Sequence, residues 1–169
     1  MKSFILIFLF SVTAFFNLYS QSCKVEIDEK SGNPMLVGIC SREAFLTSDF
    51  SDWFSKEYSD YLSKQEILSS ISKSYNDYKI LIVMGTWCGD SRREIPRFYK
   101  ILDEIQFPDS NLSLVAVNRK KQGLFNETEG LNIQLVPTII FYKNGGEIGR
   151  IIETPIKSLE EDMIDILTK

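Results

Sequence analysis

The sequence predicts an α/β protein in three layers, with a mixed sheet between helices on both faces. Two observations support this fold class. From residue 63 onward, helical and strand patterns alternate, and a strand, a crossover helix and a second strand imply a parallel pair. Near the C-terminus, Asn144-Gly145-Gly146 between two apolar runs predicts a hairpin and hence an antiparallel pair. A chain of 169 residues has room for one such domain, residues 63–169, and an appended N-terminal segment.

Residues 1–20 are typical of a cleaved export signal. Lys2 is followed by an apolar run, Phe4–Phe16, and a small residue, Ser20, after which we expect cleavage. The run is shorter than the roughly 20 apolar residues of a membrane-spanning helix. We therefore expect a periplasmic or secreted protein, without stable membrane insertion after cleavage, in an oxidising compartment.

Residues 21–62 predict an N-terminal extension that begins with a hairpin. Two short strands, Cys23–Asp28 and Met35–Cys40, flank turn-forming residues. A turn centred on Ser31-Gly32 places Cys23 opposite Cys40, at a Cα distance of about 4.5–5.5 Å that suits a disulfide. The sequence therefore predicts a Cys23–Cys40 bridge, and two buried free thiols are the alternative.

The second part of the extension is an aromatic helix within residues 45–62. Its aromatic side chains fall on one helical face, which predicts docking onto the core; a ligand-binding stripe is the alternative. These side chains are Phe50, Trp53, Phe54, Tyr58 and Tyr61.

The remaining elements follow from capping boxes and apolar runs. Ser63 with Glu66, and Ser158 with Glu161, each predict the start of a helix, the first ending near Tyr75. Pro96 lies inside a predicted helix and should kink it. That helix spans about Cys88 to Ile105, and the predicted strands are Lys79–Met84, Leu112–Val117, Thr138–Tyr142 and Glu147–Ile152.

Cys88 is the candidate reactive residue. It follows a buried strand and begins a helix, where the free N–H groups and the helix dipole favour a thiolate. Arg92 and Arg93 add positive charge, whereas Asp90 opposes it. A buried structural cysteine is the alternative.

Composition excludes several other kinds of site. The chain has no histidine, which excludes Ser-His-Asp and Cys-His triads and His-containing zinc sites. The formal net charge of -4, with scattered Lys and Arg, argues against nucleic-acid binding. The three cysteines lack the close spacing of zinc motifs, so we expect neither a metal nor another cofactor.

The segment Trp87-Cys88-Gly89-Asp90-Ser91 resembles the Trp-Cys-Gly-Pro-Cys active site of the thioredoxin superfamily. Pro96 matches the proline in the active-site helix of that family, and Val136-Pro137-Thr138 is similar to its cis-proline loop. The longer motif from Gly85 to Ser91 also resembles exported thioredoxin-like proteins of Bacteroidetes-type bacteria.

The resemblance implies roles for individual residues. Cys88 would be the nucleophile, and Pro137 would be cis. Two departures stand out: Ser91 replaces the resolving cysteine, and Ile82 replaces a buried aspartate of the family. Ser91 would instead donate a hydrogen bond to the Cys88 thiolate. The substrate-binding surface would consist of Trp87, Gly89, Asp90, Val136 and Pro137.

These features lead to three functional hypotheses. The first is thiol-disulfide exchange through mixed disulfides at Cys88, with a client protein or a low-molecular-weight thiol or disulfide as partner. The alternative is a peptide- or protein-binding module without redox turnover. A third is a peroxide-sensing thiol that forms a sulfenic acid.

Overall fold

The computed structural model describes residues 22–69 and 77–168. It contains one six-stranded mixed sheet in the order β1-β2-β4-β3-β5-β6. The predicted α/β class with a mixed sheet is confirmed, whereas the predicted export signal and the predicted helix end near Tyr75 lie outside the described residues. The strands are β1 (Cys23–Ile27), β2 (Pro34–Cys40), β3 (Tyr78–Met84), β4 (Leu112–Ala116), β5 (Thr138–Lys143) and β6 (Gly146–Ile152).

The centre of the sheet consists of β3 between β4 and β5. β3 pairs in parallel with β4, as the sequence predicts, and it pairs antiparallel with β5 on its other side. Ile82, Val83 and Met84 are fully buried at the end of β3, because both faces of the strand are covered. The segment that follows β3 is therefore anchored at its start by fully buried side chains.

In the described residues, four α-helices accompany the sheet: α1 (Ser51–Asp60), α2 (Gln65–Leu68), α3 (Gly89–Glu104) and α4 (Leu159–Leu167). Ser158 caps α4 by accepting a hydrogen bond from the Glu161 N–H at 3.2 Å, which confirms that capping box. The box predicted at Ser63 is wrong. Its hydroxyl bonds Glu104 on α3, and Lys64 occupies the cap position of α2.

The helices and the two faces of the sheet are arranged differently from the expectation. Side chains from all four helices join one apolar cluster with one face of the sheet. The other face, with Val83 and Val115, is covered by residues 117–137, which form turns and bends. Among the described residues no helix covers this second face, because the segment after β4 is polar and lacks helical periodicity.

The N-terminal hairpin is present, but its predicted register is wrong by two residues. Cys23 lies opposite Gly38 rather than Cys40. The turn is centred between Lys30 and Ser31, one residue earlier than predicted, because the Asp28 N–H donates to the Asn33 carbonyl and the Asp28 carboxylate accepts from the Ser31 hydroxyl inside the turn. Moving the centre by one residue shifts every cross-strand partner by two.

The predicted disulfide is nevertheless confirmed, with a Cα–Cα distance of 4.7 Å between Cys23 and Cys40. The two strands approach closely at Gly38, whose φ is 104°. A Cβ atom there would collide with the Ser22 carbonyl, so the position requires glycine. This close approach accompanies the bridge between cysteines that are not direct register partners.

The aromatic segment docks onto the core, as the sequence predicts. The helix itself, α1, is shorter than the predicted range, and Phe50 is its N-cap residue. Phe45 stacks on Phe54 with ring centroids 4.8 Å apart, and both rings are buried. α1 packs against α3, the helix that begins after Cys88.

Candidate active site

Cys88 lies at the end of the buried strand β3, in the N-cap position of α3. Its side chain is half-buried, and it is the one free cysteine of the three. The thiol donates a hydrogen bond to the Val136 carbonyl over 3.1 Å. This carbonyl lies on the loop before β5, so β3, α3 and that loop meet at the sulfur.

The Val136–Pro137 peptide bond is cis, as the resemblance implied. Val136 is buried in the cluster that also contacts Trp87 and Cys88. The Pro137 carbonyl accepts from the Glu153 N–H at 2.7 Å, which ties the loop to the residue after β6. The loop next to the thiol is therefore held from two sides.

Trp87 is held by a hydrogen bond and by close packing. Its indole N–H donates to the Val117 carbonyl at 2.8 Å. Its ring lies so close to Gly85 that a Cβ atom there would be 2.6 Å from the indole. Because Gly85 has no Cβ atom, the Trp87 ring can pack directly against the backbone at this position, beside Cys88.

The structure places Ser91 differently from the sequence-based expectation. The side chain is fully buried, and its hydroxyl accepts from the Gly85 N–H at 3.2 Å. No hydrogen bond joins Ser91 to Cys88 in the described part of the chain. Ser91 instead supports the turn that carries Trp87. The two remaining motif residues lie at the surface, with Gly89 exposed and Asp90 half-buried.

The two arginines of α3 are occupied by other partners. Arg93 pairs with Asp90 at 2.7 Å and with the buried Glu94 at 2.6 Å. Arg92 donates to the Thr86 carbonyl and lies over the ring of Trp53 from α1. Among the described residues, neither guanidinium bonds the Cys88 sulfur.

A different arginine, Arg119, lies beside the site, and sequence analysis missed it. It follows β4, and its guanidinium lies 4.7 Å from the centre of the Trp87 ring. Asp28 of the N-terminal hairpin holds Arg119 through two hydrogen bonds of 2.7 Å. One feature of the sequence could have indicated this position. β3 and β4 are predicted to be parallel, so the residues that follow them lie at the same edge of the sheet, next to the carboxyl ends of both strands.

The electrostatics of this pair are mutual. The Arg119 hydrogen bonds are the main reason why the pKa of Asp28 lies well below its usual value, with a smaller contribution from Ser31. Asp28 in turn raises the pKa of Arg119, and the charge of Cys88 adds to that rise. Arg119 therefore carries its positive charge on the ring of Trp87, the residue before Cys88 in the chain.

The described residues contain no group of three or more Cys, Asp or Glu side chains arranged to hold a metal ion. Within residues 22–69 and 77–168, no helix combines the length and apolarity needed to cross a membrane.

A mixed sheet, a free cysteine at the start of the helix after its central strand, and a cis-proline loop against the sulfur define a thioredoxin-fold protein. The thioredoxin family model matches residues 58–165, more than half of the chain. The chain therefore belongs to the thioredoxin family.

Curated relatives are similar over part of their length. A thioredoxin-like protein of Acanthamoeba polyphaga mimivirus is 28% identical over 86 residues, 51% of this chain and 60% of that protein. Mitochondrial thioredoxin O1 of Arabidopsis thaliana is 26% identical over 103 residues, 60% of this chain and 51% of the relative. The chain thus spans between half and two thirds of each.

Solved structures are similar at low identity. Oxidised thioredoxin O2 of Arabidopsis thaliana has a TM-score of 0.41 and 22% identity, over 60% of this chain and 84% of that one. A Pseudomonas aeruginosa protein of unknown function has a TM-score of 0.45 and 18% identity, over 70% and 79%.

Proposed function

We propose that this protein is an exported, single-cysteine member of the thioredoxin family that catalyses thiol-disulfide exchange through mixed disulfides at Cys88. The main support is the position of the free thiol: half-buried, at the start of α3, and against the carbonyl that precedes the cis proline. Export rests on the signal pattern of residues 1–20, and a Cys23–Cys40 disulfide suits an oxidising compartment.

The chemistry needs no cofactor. The Cys88 thiolate attacks one sulfur of a client disulfide, forms a mixed disulfide and releases the other client sulfur as a thiolate. A second thiolate, from the client or from a small thiol, attacks the client sulfur, and Cys88 leaves as a thiolate. Each displacement breaks one S–S bond and forms one, so the number of disulfides is unchanged. Disulfide isomerisation is a reaction of this kind. Removal of a small-thiol adduct uses the same two displacements when Cys88 takes up the small-thiol sulfur; the client is then reduced, and the small thiol leaves as its own disulfide.

Surrounding residues would contribute to binding. In this proposal Trp87, Gly89 and Asp90 form one side of the client groove. Val136 and Pro137 form the other side, where an extended client peptide would pair with the backbone. Ser91 acts as a support for the turn, since its hydroxyl is committed to Gly85.

The direct test uses glutathione disulfide as the probe and mass spectrometry as the readout. We expect the wild-type protein to gain one glutathionyl group and Cys88→Ala to gain none. Equal labelling of the two proteins would contradict the proposal. An unlabelled wild-type protein would favour the peptide-binding module instead.

A second test restores the missing thiol. Ser91→Cys places a sulfur at the resolving position, so the variant should reduce insulin with dithiothreitol as the electron donor, whereas the wild-type protein should not exceed the rate with dithiothreitol alone. Ser91→Ala is the matched control and should stay at that background rate. Wild-type turnover equal to that of Ser91→Cys would contradict a single-cysteine mechanism.

A further inference from the structure

The N-terminal hairpin reaches the candidate active site through a continuous set of contacts. Asp28, at the hairpin turn, is buried, and its two carboxylate oxygens bind the Nε and Nη2 atoms of Arg119. The guanidinium of Arg119 lies over the Trp87 ring, and the Trp87 indole bonds the Val117 carbonyl. Bidentate pairing and the ring contact fix the plane and the position of the guanidinium.

A second contact joins the hairpin to the same loop. The backbone N–H of Leu36 on β2 donates to the buried Thr86 hydroxyl at 3.0 Å. Thr86 lies between Gly85 and Trp87, so the hairpin holds the loop that ends at Cys88. The Cys23–Cys40 bridge ties β1 to β2 in the same hairpin.

The charged side chains of α3 near Cys88 contact partners other than the thiol. On α3, Asp90 binds Arg93, Arg93 also binds Glu94, and Arg92 bonds the Thr86 carbonyl. The charged group that lies on the Trp87 ring is Arg119, which is about one-third exposed.

We propose that Arg119 is a positioning residue of the active site, held by Asp28 of the N-terminal hairpin, and that it orients Trp87 and stabilises the Cys88 thiolate. The hairpin is then part of the reactive site. This inference rests on the proposed function, since a thiolate needs stabilising only where Cys88 reacts. Asp28 keeps the guanidinium in place and reduces its net charge, so the expected electrostatic effect is moderate.

The test measures the rate at which iodoacetamide alkylates Cys88 as a function of pH. Arg119→Met keeps much of the side-chain length without the charge. We expect its half-maximal rate at a pH about 0.5–1 unit higher, which slows alkylation by about three- to tenfold below that pH. Arg119→Lys should recover part of the loss, because it restores the charge without the bidentate geometry.

Three controls distinguish electrostatics from altered folding. Lys120→Met removes an adjacent exposed cation and should leave the pH profile unchanged. Near-UV circular dichroism follows Trp87 and thereby reports altered folding. In the wild-type protein, high salt should move the pH profile in the same direction as Arg119→Met does, and this measurement does not require that the variant folds. An unchanged profile in a folded Arg119→Met, or an unfolded Arg119→Met together with a salt-independent wild-type profile, would overturn the inference.

The proposed function fails separately from this inference. Alkylation needs no disulfide exchange, so a wild-type protein that is alkylated but never forms a glutathione adduct refutes only the proposed function. A protein that forms the adduct, with the same profile in the wild type and Arg119→Met, refutes only the role of Arg119.

Discussion

Reduction of the Cys23–Cys40 bridge should destabilise the whole domain and not only the hairpin. The bridge joins residues 17 apart, and closing a loop of this size in the unfolded chain is worth about 3 kcal/mol of unfolding free energy. The effect should be global, because β2 pairs with β4 inside the sheet and Cys40 is buried in the main core.

Equilibrium unfolding in urea measures this effect, with circular dichroism as the signal. With a denaturant slope of about 2 kcal/mol/M, a loss of about 3 kcal/mol lowers the midpoint by about 1.5 M. Cys88→Ala is the appropriate background, since it prevents exchange between Cys88 and the bridge. The protein is compared with and without dithiothreitol, and mass spectrometry verifies that the bond is open.

The control is Cys88→Ala with Cys23→Ala and Cys40→Ala added, which has no bridge and should not respond to dithiothreitol. An unchanged midpoint in the reduced bridge-containing protein would refute the loop-entropy reasoning. If reduction lowers the circular dichroism signal of the folded protein, as expected when the hairpin alone unfolds, but leaves the urea transition of the rest of the domain unchanged, the coupling of β2 to the sheet is refuted.

Three further predictions concern the core, the Trp87 loop and pH. Phe54→Ala removes a buried ring stacked on Phe45 and should lower the unfolding free energy, measured in urea, by about 3–5 kcal/mol. Leu62→Ala, at a side chain that is 87% exposed, should change it by no more than about 0.5 kcal/mol. Equal effects of the two substitutions would contradict the docking of α1. Gly85→Ala should displace Trp87 and change its fluorescence and near-UV circular dichroism, because the added Cβ would collide with the indole ring. Gly146→Ala, where the added Cβ has ordinary contacts, should leave both spectra unchanged. Unchanged spectra of Gly85→Ala would show that the position of the ring does not depend on its close contact with Gly85. Arg119 lowers the pKa of Asp28, so the stability from this pair is fully present above the ordinary pKa of 3.8 and is lost as pH falls toward the folded-state pKa. The difference in unfolding free energy between wild type and Asp28→Asn should therefore be constant near neutrality and shrink in acid. A difference that grows in acid would have the wrong sign.

Local sequence patterns predicted most elements because each pattern depends on neighbours along the chain. The apolar run before Met84 and the Asn144-Gly145 turn identify strands and a hairpin without knowledge of their partners. The position of Cys88 at a strand-helix junction follows from the same local signals. The Ser158 cap formed as predicted, since its partner Glu161 is three residues away.

Other features depended on competing partners distant in sequence. Ser63 has a capping pattern, but Glu104 of α3 is within reach of its hydroxyl, and tertiary packing overrides the local choice. Ser91 matches the position of a thiol, yet its hydroxyl bonds the Gly85 N–H, because a fully buried side chain must satisfy the polar groups around it. The hairpin register depended on hydrogen bonds to Asp28 within the turn, which the residue types alone did not select.

The sequence by itself determined the class of fold, the pairing of Cys23 with Cys40 and the candidacy of Cys88, because periodicity, cysteine usage and a five-residue motif are all readable locally. Only the tertiary structure decided which charge accompanies the thiol. Arg92 and Arg93 are nearest in sequence, but Arg92 lies over Trp53 and Arg93 pairs with Asp90 and Glu94. Arg119 reaches Trp87 because β4 runs parallel to β3, and Asp28 binds it from 91 residues away because β1 and β2 extend the sheet beside β4.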